Sequence, residues 1–172
     1  MKIMTGKIKV LNTFKFKTAS ERETLRLANM FGKKVKSGQT ISLKGMIGVG
    51  KTIFVKGLAK ALKCDQSPIS ASFSLMKMYK GAKLNLNHFD LFRLEDNEAP
   101  YLGMEEYMGE EDSISVFEWG SPASYLYERT ELLELDFELA GGDNRTITVK
   151  AKGIKSRDLA EKVYRIWQEK KK

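Results

Sequence analysis

The 172-residue chain is poor in the residues that staple or span: one cysteine, three prolines, one histidine and no long hydrophobic run. A single cysteine, Cys64, excludes an intrachain disulfide and fits a reducing compartment. No stretch approaches the ~20 apolar residues that cross a bilayer. Met1 to Val10 carries Lys2, Lys7 and Lys9 without a continuous apolar core, so it does not read as a secretory signal. The chain therefore reads as cytoplasmic, with no membrane partner. Pro68, Pro100 and Pro122 punctuate loops, and neither repeats nor low-complexity segments occur. With 42% apolar and 30% charged residues, the composition is that of a globular protein, which excludes collagen, long disorder and a disulfide-built miniprotein. A chain of this length buries roughly two-thirds of its unfolded surface and forms a core unaided.

The net charge is +8, which raises the local concentration of polyanions without identifying one. Its distribution is uneven. From Glu95 to Glu118 there are nine acids and no lysine or arginine, so this stretch carries −9 and the remainder +17. Such a run is either a solvated acidic face or a docking face for a basic partner.

Periodicity gives the element order. A strand is expected over Ile8 to Phe16. Ser20 and Glu23 form a capping box, followed by a helix to about Lys34 with Leu25, Ala28, Phe31 and Val35 at near-helical spacing. A strand from Thr40 to Leu43 enters a glycine-rich loop, and a helix runs from Lys51 to about Lys63. Strands follow over Ser72 to Tyr79 and Lys83 to Phe89, turning at Lys80-Gly81. Then come a short helix at Gly103 to Met108 and a strand at Ile114 to Phe117. A hairpin joins Leu132–Leu139 to Thr146–Ala151, and a terminal helix starts at Ser156 with Leu159, Val163, Ile166 and Trp167 on one face. Helices and strands interleave in the first half and strands dominate the second. That order predicts an α/β fold with a parallel core sheet extended by antiparallel strands and helices on both faces, as one domain over 1–172.

Gly45-Met46-Ile47-Gly48-Val49-Gly50-Lys51-Thr52 fits the phosphate-binding loop G-x-x-x-x-G-K-[ST]. Gly45, Gly48 and Gly50 let the backbone approach phosphate closely. Successive N–H groups then make an anion nest at a helix N-terminus. Lys51 supplies a point charge between the β- and γ-phosphates, and Thr52 offers its hydroxyl to Mg²⁺. Such a site needs an acid at the end of a buried strand, and there are two candidates, Asp90 and Glu118. His88, the lone histidine, reads as a structural hydrogen-bonder or a catalyst.

With these residues in place, the chain resembles the bacterial ATPase family of tRNA threonylcarbamoyladenosine biosynthesis, TsaE (also called YjeE), from about residue 18 to 150. The resemblance rests on Thr18-x-Ser20-x-x-x-Thr24 and on Leu43-x-Gly45-x-Ile47-Gly48-x-Gly50-Lys51-Thr52. It continues through Ser70-Ala71-Ser72-Phe73-Ser74-Leu75 with Tyr79 following, and through His88-Phe89-Asp90-Leu91-Phe92-Arg93-Leu94. Gly103-Met104-Glu105-Glu106-Tyr107 and Val116-Phe117-Glu118-Trp119 complete it. Met46, Ile53 and Ala71 depart from the family's usual acid, hydroxyl residue and proline.

The resemblance implies a P-loop NTPase-like fold, ATP and Mg²⁺ as cofactors, and slow ATP hydrolysis assisted by TsaB- and TsaD-type partners, with tRNA reached through that complex. It implies nucleotide binding by Gly45, Gly48, Val49, Gly50, Lys51, Thr52 and Ile53, with Ser20 and Glu21 near the adenine. Thr52 and Glu118 would hold Mg²⁺, and Asp90 would position or activate water beside Lys51. Ser72, Phe73 and Ser74 would form a switch sensing the γ-phosphate, and Trp119 would matter for function. Arg93 is a candidate arginine finger in cis. The main alternative is a small-molecule kinase of P-loop type, although only Arg93 and Arg129 lie between Lys51 and Arg145, few for a kinase lid. A GTP-binding module lacks its N-K-x-D and D-x-x-G patterns here. A direct tRNA binder rests only on the basic remainder of the chain.

Overall fold

In the computed structural model, residues 12–69, 75–95, 98–129 and 131–170 are described. They build one seven-stranded sheet in the order β1-β7-β6-β2-β5-β4-β3. The strands are β1 Asn12–Thr18, β2 Thr40–Lys44, β3 Met76–Tyr79, β4 Asn85–Asp90, β5 Ser113–Glu118, β6 Leu132–Leu139 and β7 Arg145–Lys152. The centre, β6-β2-β5-β4, is parallel. Antiparallel strands extend it on both edges, β7 and β1 beyond β6, and β3 beyond β4. This is the anticipated architecture.

Alternation along the strands assigns the two faces. Ile41 and Leu43, Leu86, Ile114 and Val116, Leu133 and Leu135, and Ile147 and Val149 share one core with the helices α1 Glu21–Gly32, α2 Lys51–Leu62 and α3 Ile154–Glu169. Phe89 and Phe117 turn to the other face and stack 4.5 Å apart. Over them lie three 3₁₀ segments, Ala99–Tyr101, Met104–Tyr107 and Ser121–Arg129, which bring Ala99, Met104, Ala123 and Tyr127 into a second cluster. Helices thus cover both faces, all three α-helices on one and 3₁₀ turns on the other. Only the turn near 104–107 was anticipated, because short 3₁₀ pieces leave no 3.6-residue period to read. Nearer β7 the same face is polar, with Lys44 paired to Glu134 at 2.7 Å and Lys150 to Asp136 at 3.3 Å.

Several boundaries move. The first strand reaches Thr18, and the part expected over residues 8–11 lies outside the described residues. In α1 the buried stripe is Thr24, Leu27, Ala28 and Phe31, with Leu25 only partly covered. Ser20 caps this helix as expected. Its side chain accepts from Glu23 N at 3.2 Å, while Glu23 Oε2 accepts from Ala19 N at 2.9 Å. The terminal helix starts two residues early, at Ile154, because Glu131 accepts from the amides of Ile154 and Ser156 at 3.1 and 2.9 Å. A carboxylate 23 residues upstream caps this helix, and no local pattern announces that. Among the described residues no helix is long and apolar enough to cross a membrane.

Helices α1 and α2 approach closely because small residues face each other. A Cβ placed on Gly57 would lie 2.5 Å from Ala28 Cβ and from Leu25 O. Alanine is the better helix former by ~1 kcal/mol, but overpacking here outweighs that gain. Gly57→Ala is expected to destabilise the fold by about 1–3 kcal/mol in urea unfolding. An increase in stability would show that α1 shifts freely.

Candidate functional site

The loop between β2 and α2 follows the carboxyl end of a central parallel strand, where open α/β sheets place ligands. Gly45, Gly48 and Gly50 have φ of 133°, 76° and 114°, the left-handed side that side chains disfavour. Gly45 is doubly constrained, since a Cβ there would sit 2.6 Å from Phe137 O. Helix α2 begins with Gly50 as N-cap, without a side-chain cap and without acids in its first turn. Its first amides therefore point out of an electropositive end. Met46 and Ile47, at the loop apex, are both 71% exposed.

Lys51 folds back over this loop, donating from Nζ to the carbonyls of Gly45 and Met46 at 2.7 and 2.8 Å. The same ammonium lies 4.0 Å from the centre of the Trp119 ring. Burial lowers its pKa from the ordinary lysine value, while the Glu118 and Asp90 carboxylates pull it upward. Trp119 follows β5 with φ of 58°, its N–H donating to Leu43 O at 3.1 Å, and Phe92 packs on its ring at 5.0 Å. The left-handed turn aims the indole across the loop rather than along the sheet.

Glu118 and Asp90 are direct neighbours in the parallel β4–β5 register. Glu118 is 3% exposed. Its Oε1 and Oε2 lie 3.0 and 3.1 Å from Thr52 Oγ1, and Oε1 lies 3.0 Å from His88 Nε2. Asp90 is half-buried, and its Oδ1 accepts from Phe92 N at 3.2 Å. A hydroxyl and a carboxylate of this kind suit a hard cation such as Mg²⁺, which keeps waters and takes phosphate oxygens for the remaining positions. Among the described residues no cluster of three or more His, Cys, Asp or Glu could hold a metal alone.

The structure thus brings together Gly45, Gly48, Val49, Gly50, Lys51, Thr52, Asp90, Glu118 and Trp119. Ile53 is partly buried on the first turn of α2. Ser20 caps α1, and Glu21 is exposed on its first turn. Thr24 of α1 comes close to the loop, its Cγ2 3.9 Å from where a Cβ on Gly50 would lie. Its hydroxyl is 2.9 Å from that of Thr18 and donates to Ser20 O at 3.2 Å. Ser72, Phe73 and Ser74, with Ser70 and Ala71, lie outside the described residues. The acids of 95–118 divide. Glu95, Glu98, Glu105, Glu106, Glu110, Glu111 and Asp112 are exposed, whereas Glu118 is buried. Glu105 and Glu111 line a cavity of about 940 Å³ with Ser37, Gly38, Glu131 and Lys155. It opens at the amino ends of β2, β5 and β6, away from the loop.

Arg145 is a site residue that sequence reasoning missed. It is 6% exposed, donates from Nε to Val49 O at 2.9 Å, and donates from Nη1 to Asp143 O at 2.6 Å. Ninety-six residues separate it from Val49, and the β2–β6 and β6–β7 pairings, with Leu139 opposite Arg145, bring it to the loop.

Sheet order, loop and paired acids define a P-loop NTPase-like protein. Residues 18–147 match the family described as "Threonylcarbamoyl adenosine biosynthesis protein TsaE". Among relatives, the tRNA threonylcarbamoyladenosine biosynthesis protein TsaE of Bacillus subtilis is 32% identical over 158 residues, covering 90% of this chain and 96% of that one. The protein of the same name from Treponema pallidum is 37% identical over 132 residues, covering 76% and 95%. The crystal structure of Bacillus subtilis YdiB superposes with a TM-score of 0.75 at 30% identity, covering 90% of this chain and 95% of its own. The chain belongs to the TsaE family, whose role is in tRNA threonylcarbamoyladenosine biosynthesis.

Arg145→Ala removes a charged donor from the buried Val49 carbonyl. A loss of about 1.5–3 kcal/mol is expected in urea unfolding. Wild-type stability would mean that the loop holds its shape without the brace.

Proposed function

We propose that this chain is a Mg²⁺-dependent P-loop ATPase that serves tRNA threonylcarbamoyladenosine formation as an ATP-driven switch on a TsaB–TsaD-type complex. The observation that carries the reading is the contact of Thr52 Oγ1 with the buried Glu118 carboxylate, directly beyond a loop with three left-handed glycines. The family relationship adds the process: relatives named for tRNA threonylcarbamoyladenosine biosynthesis align over most of the chain.

In this reading the amides of 48–52 and the amino end of α2 bind the ATP phosphates. Lys51 exchanges the Gly45 and Met46 carbonyls for β- and γ-phosphate oxygens, leaving the face of Trp119. Thr52 and Glu118 would hold Mg²⁺, which would supply charge neutralisation at the phosphate oxygens. Asp90, one strand away, orients a water and takes its proton. The water oxygen bonds to the γ-phosphorus while the bond to the β–γ bridging oxygen breaks, leaving ADP and phosphate. Arg145, the cation beside the loop, is committed to the Val49 and Asp143 carbonyls. Turnover is then slow unless a partner contributes, since a finger arginine is worth roughly 10³–10⁵ in rate. The 70–79 segment and Asp90 would report the γ-phosphate to TsaB- and TsaD-type partners, and tRNA would be met through that complex.

The test is ATPase turnover of Lys51→Ala, Asp90→Ala and Glu118→Ala with TsaB and TsaD present. Each is expected to fall by roughly two orders of magnitude or more. Near-wild-type turnover in all three would refute the site. Labelled phosphate transferred to a small acceptor would favour a kinase instead.

A further inference from the structure

We infer that His88 is a positioning residue for Glu118: its Nε2–H fixes the carboxylate so that the remaining lone pairs face Thr52 and the phosphate loop. The inference rests on the proposed role of Thr52 and Glu118 as Mg²⁺ ligands.

The geometry is specific. His88 is fully buried and is the only histidine in the chain. In the parallel register its own neighbour is Val116, and Asp90 pairs with Glu118. The imidazole therefore reaches diagonally by two residues to Glu118 Oε1, at 3.0 Å. The Tyr79 ring lies 6.3 Å away at 33°, itself buried on β3, and walls the imidazole from the sheet edge.

Glu118 Oε1 is shared. It accepts from Thr52 Oγ1 and from His88 Nε2, each at 3.0 Å. An ionised carboxylate only accepts, so Nε2 is the nitrogen that carries hydrogen toward it. The Thr52 hydroxyl is the natural donor to the carboxylate until a cation takes its oxygen. Once that happens, the His88 donor still holds the glutamate side chain in place. Glutamate has three rotatable bonds and little reason to keep one rotamer without such a partner. A donor that orients a metal-binding carboxylate typically changes metal affinity by 10–100-fold when lost. The short path from β4 to β5 also explains a histidine at this place rather than another apolar core residue. A Leu here would fill the space and leave the buried Oε1 with the Thr52 donor alone.

Two substitutions separate the donor from the bulk. Gln places an amide N–H near the position of imidazole Nε2, and Asn places one near Nδ1, too short to reach Glu118. Mn²⁺ binding to the full chain with ADP, read by loss of the free-Mn²⁺ EPR signal, is expected to weaken by about 10–100-fold in His88→Asn and to stay near wild type in His88→Gln. Affinity for a fluorescent ADP analogue in EDTA is expected to stay unchanged in both. Equal Mn²⁺ affinity in His88→Asn and wild type, or equal losses in the two variants, overturns the inference. Absence of Mn²⁺ binding by the wild type with ADP instead refutes the metal site on which it rests. A measurement on the unaltered chain covers variants that fail to fold. The single histidine gives one set of ¹⁵N ring signals, expected to show hydrogen on Nε2 and a shift at Nε2 on adding Mg²⁺ with ADP. Hydrogen on Nδ1 alone, or signals that ignore Mg²⁺ while the nucleotide binds, overturns the assignment.

Discussion

Glu118 is almost completely buried, and a carboxylate taken out of water costs several kcal/mol unless donors compensate. The donors here come from two other elements, Thr52 on α2 and His88 on β4. Rotation of helix α2, or a one-residue slip of β4, would strip that carboxylate of one of its two donors. The P-loop lies between β2 and α2, so the same contact sets where its amides point. The constraint costs stability locally and is offset by the apolar core beneath it, where Leu43, Val116 and Leu86 are fully buried on the same face.

Around this point the backbone is held in conformations that ordinary residues avoid. The loop glycines take positive φ, and so does Trp119, which is not a glycine. A left-handed tryptophan costs of order 1–3 kcal/mol and persists only when its surroundings over-determine it. Here the Trp119 backbone N–H donates to Leu43 O, and its ring packs on Phe92 and covers the Lys51 ammonium. Arg145 adds a brace from β7, two strands from β2. The loop is thus shaped by its own glycines, by the turn after β5 and by a side chain from β7.

The two halves of the sheet divide the labour. The parallel centre collects the functional ends of β2, β4 and β5 at one edge, because every strand there runs the same way. The antiparallel flank, β7 and β1, contributes core and the Arg145 brace. Glu105 and Glu111 line a polar cavity at the opposite edge of the sheet, at the amino ends of β2, β5 and β6. That placement separates them from Glu118, although they are its neighbours in the chain. Met46 stands solvent-exposed at the loop apex.

Much of this protein was legible in its residues. G-x-x-x-x-G-K-T announces a phosphate loop because few other backbones need glycines at those intervals before a helix. The helices α1 and α2 and the strands of the parallel core followed from periodicity and capping, and the family resemblance from the ordered blocks around them. Other features were decided only by folding. Arg145 reaches Val49 through strand pairing, Glu131 caps a helix 23 residues on, and His88 finds Glu118 diagonally across two strands. The 3₁₀ cover and the true inward stripe of α1 also escaped, since short turns have no period and burial depends on which neighbour arrives. Local sequence carries the identity of groups and their spacing along one chain segment. Which distant group compensates a buried charge or carbonyl depends on sheet order, and sheet order is a property of the whole chain.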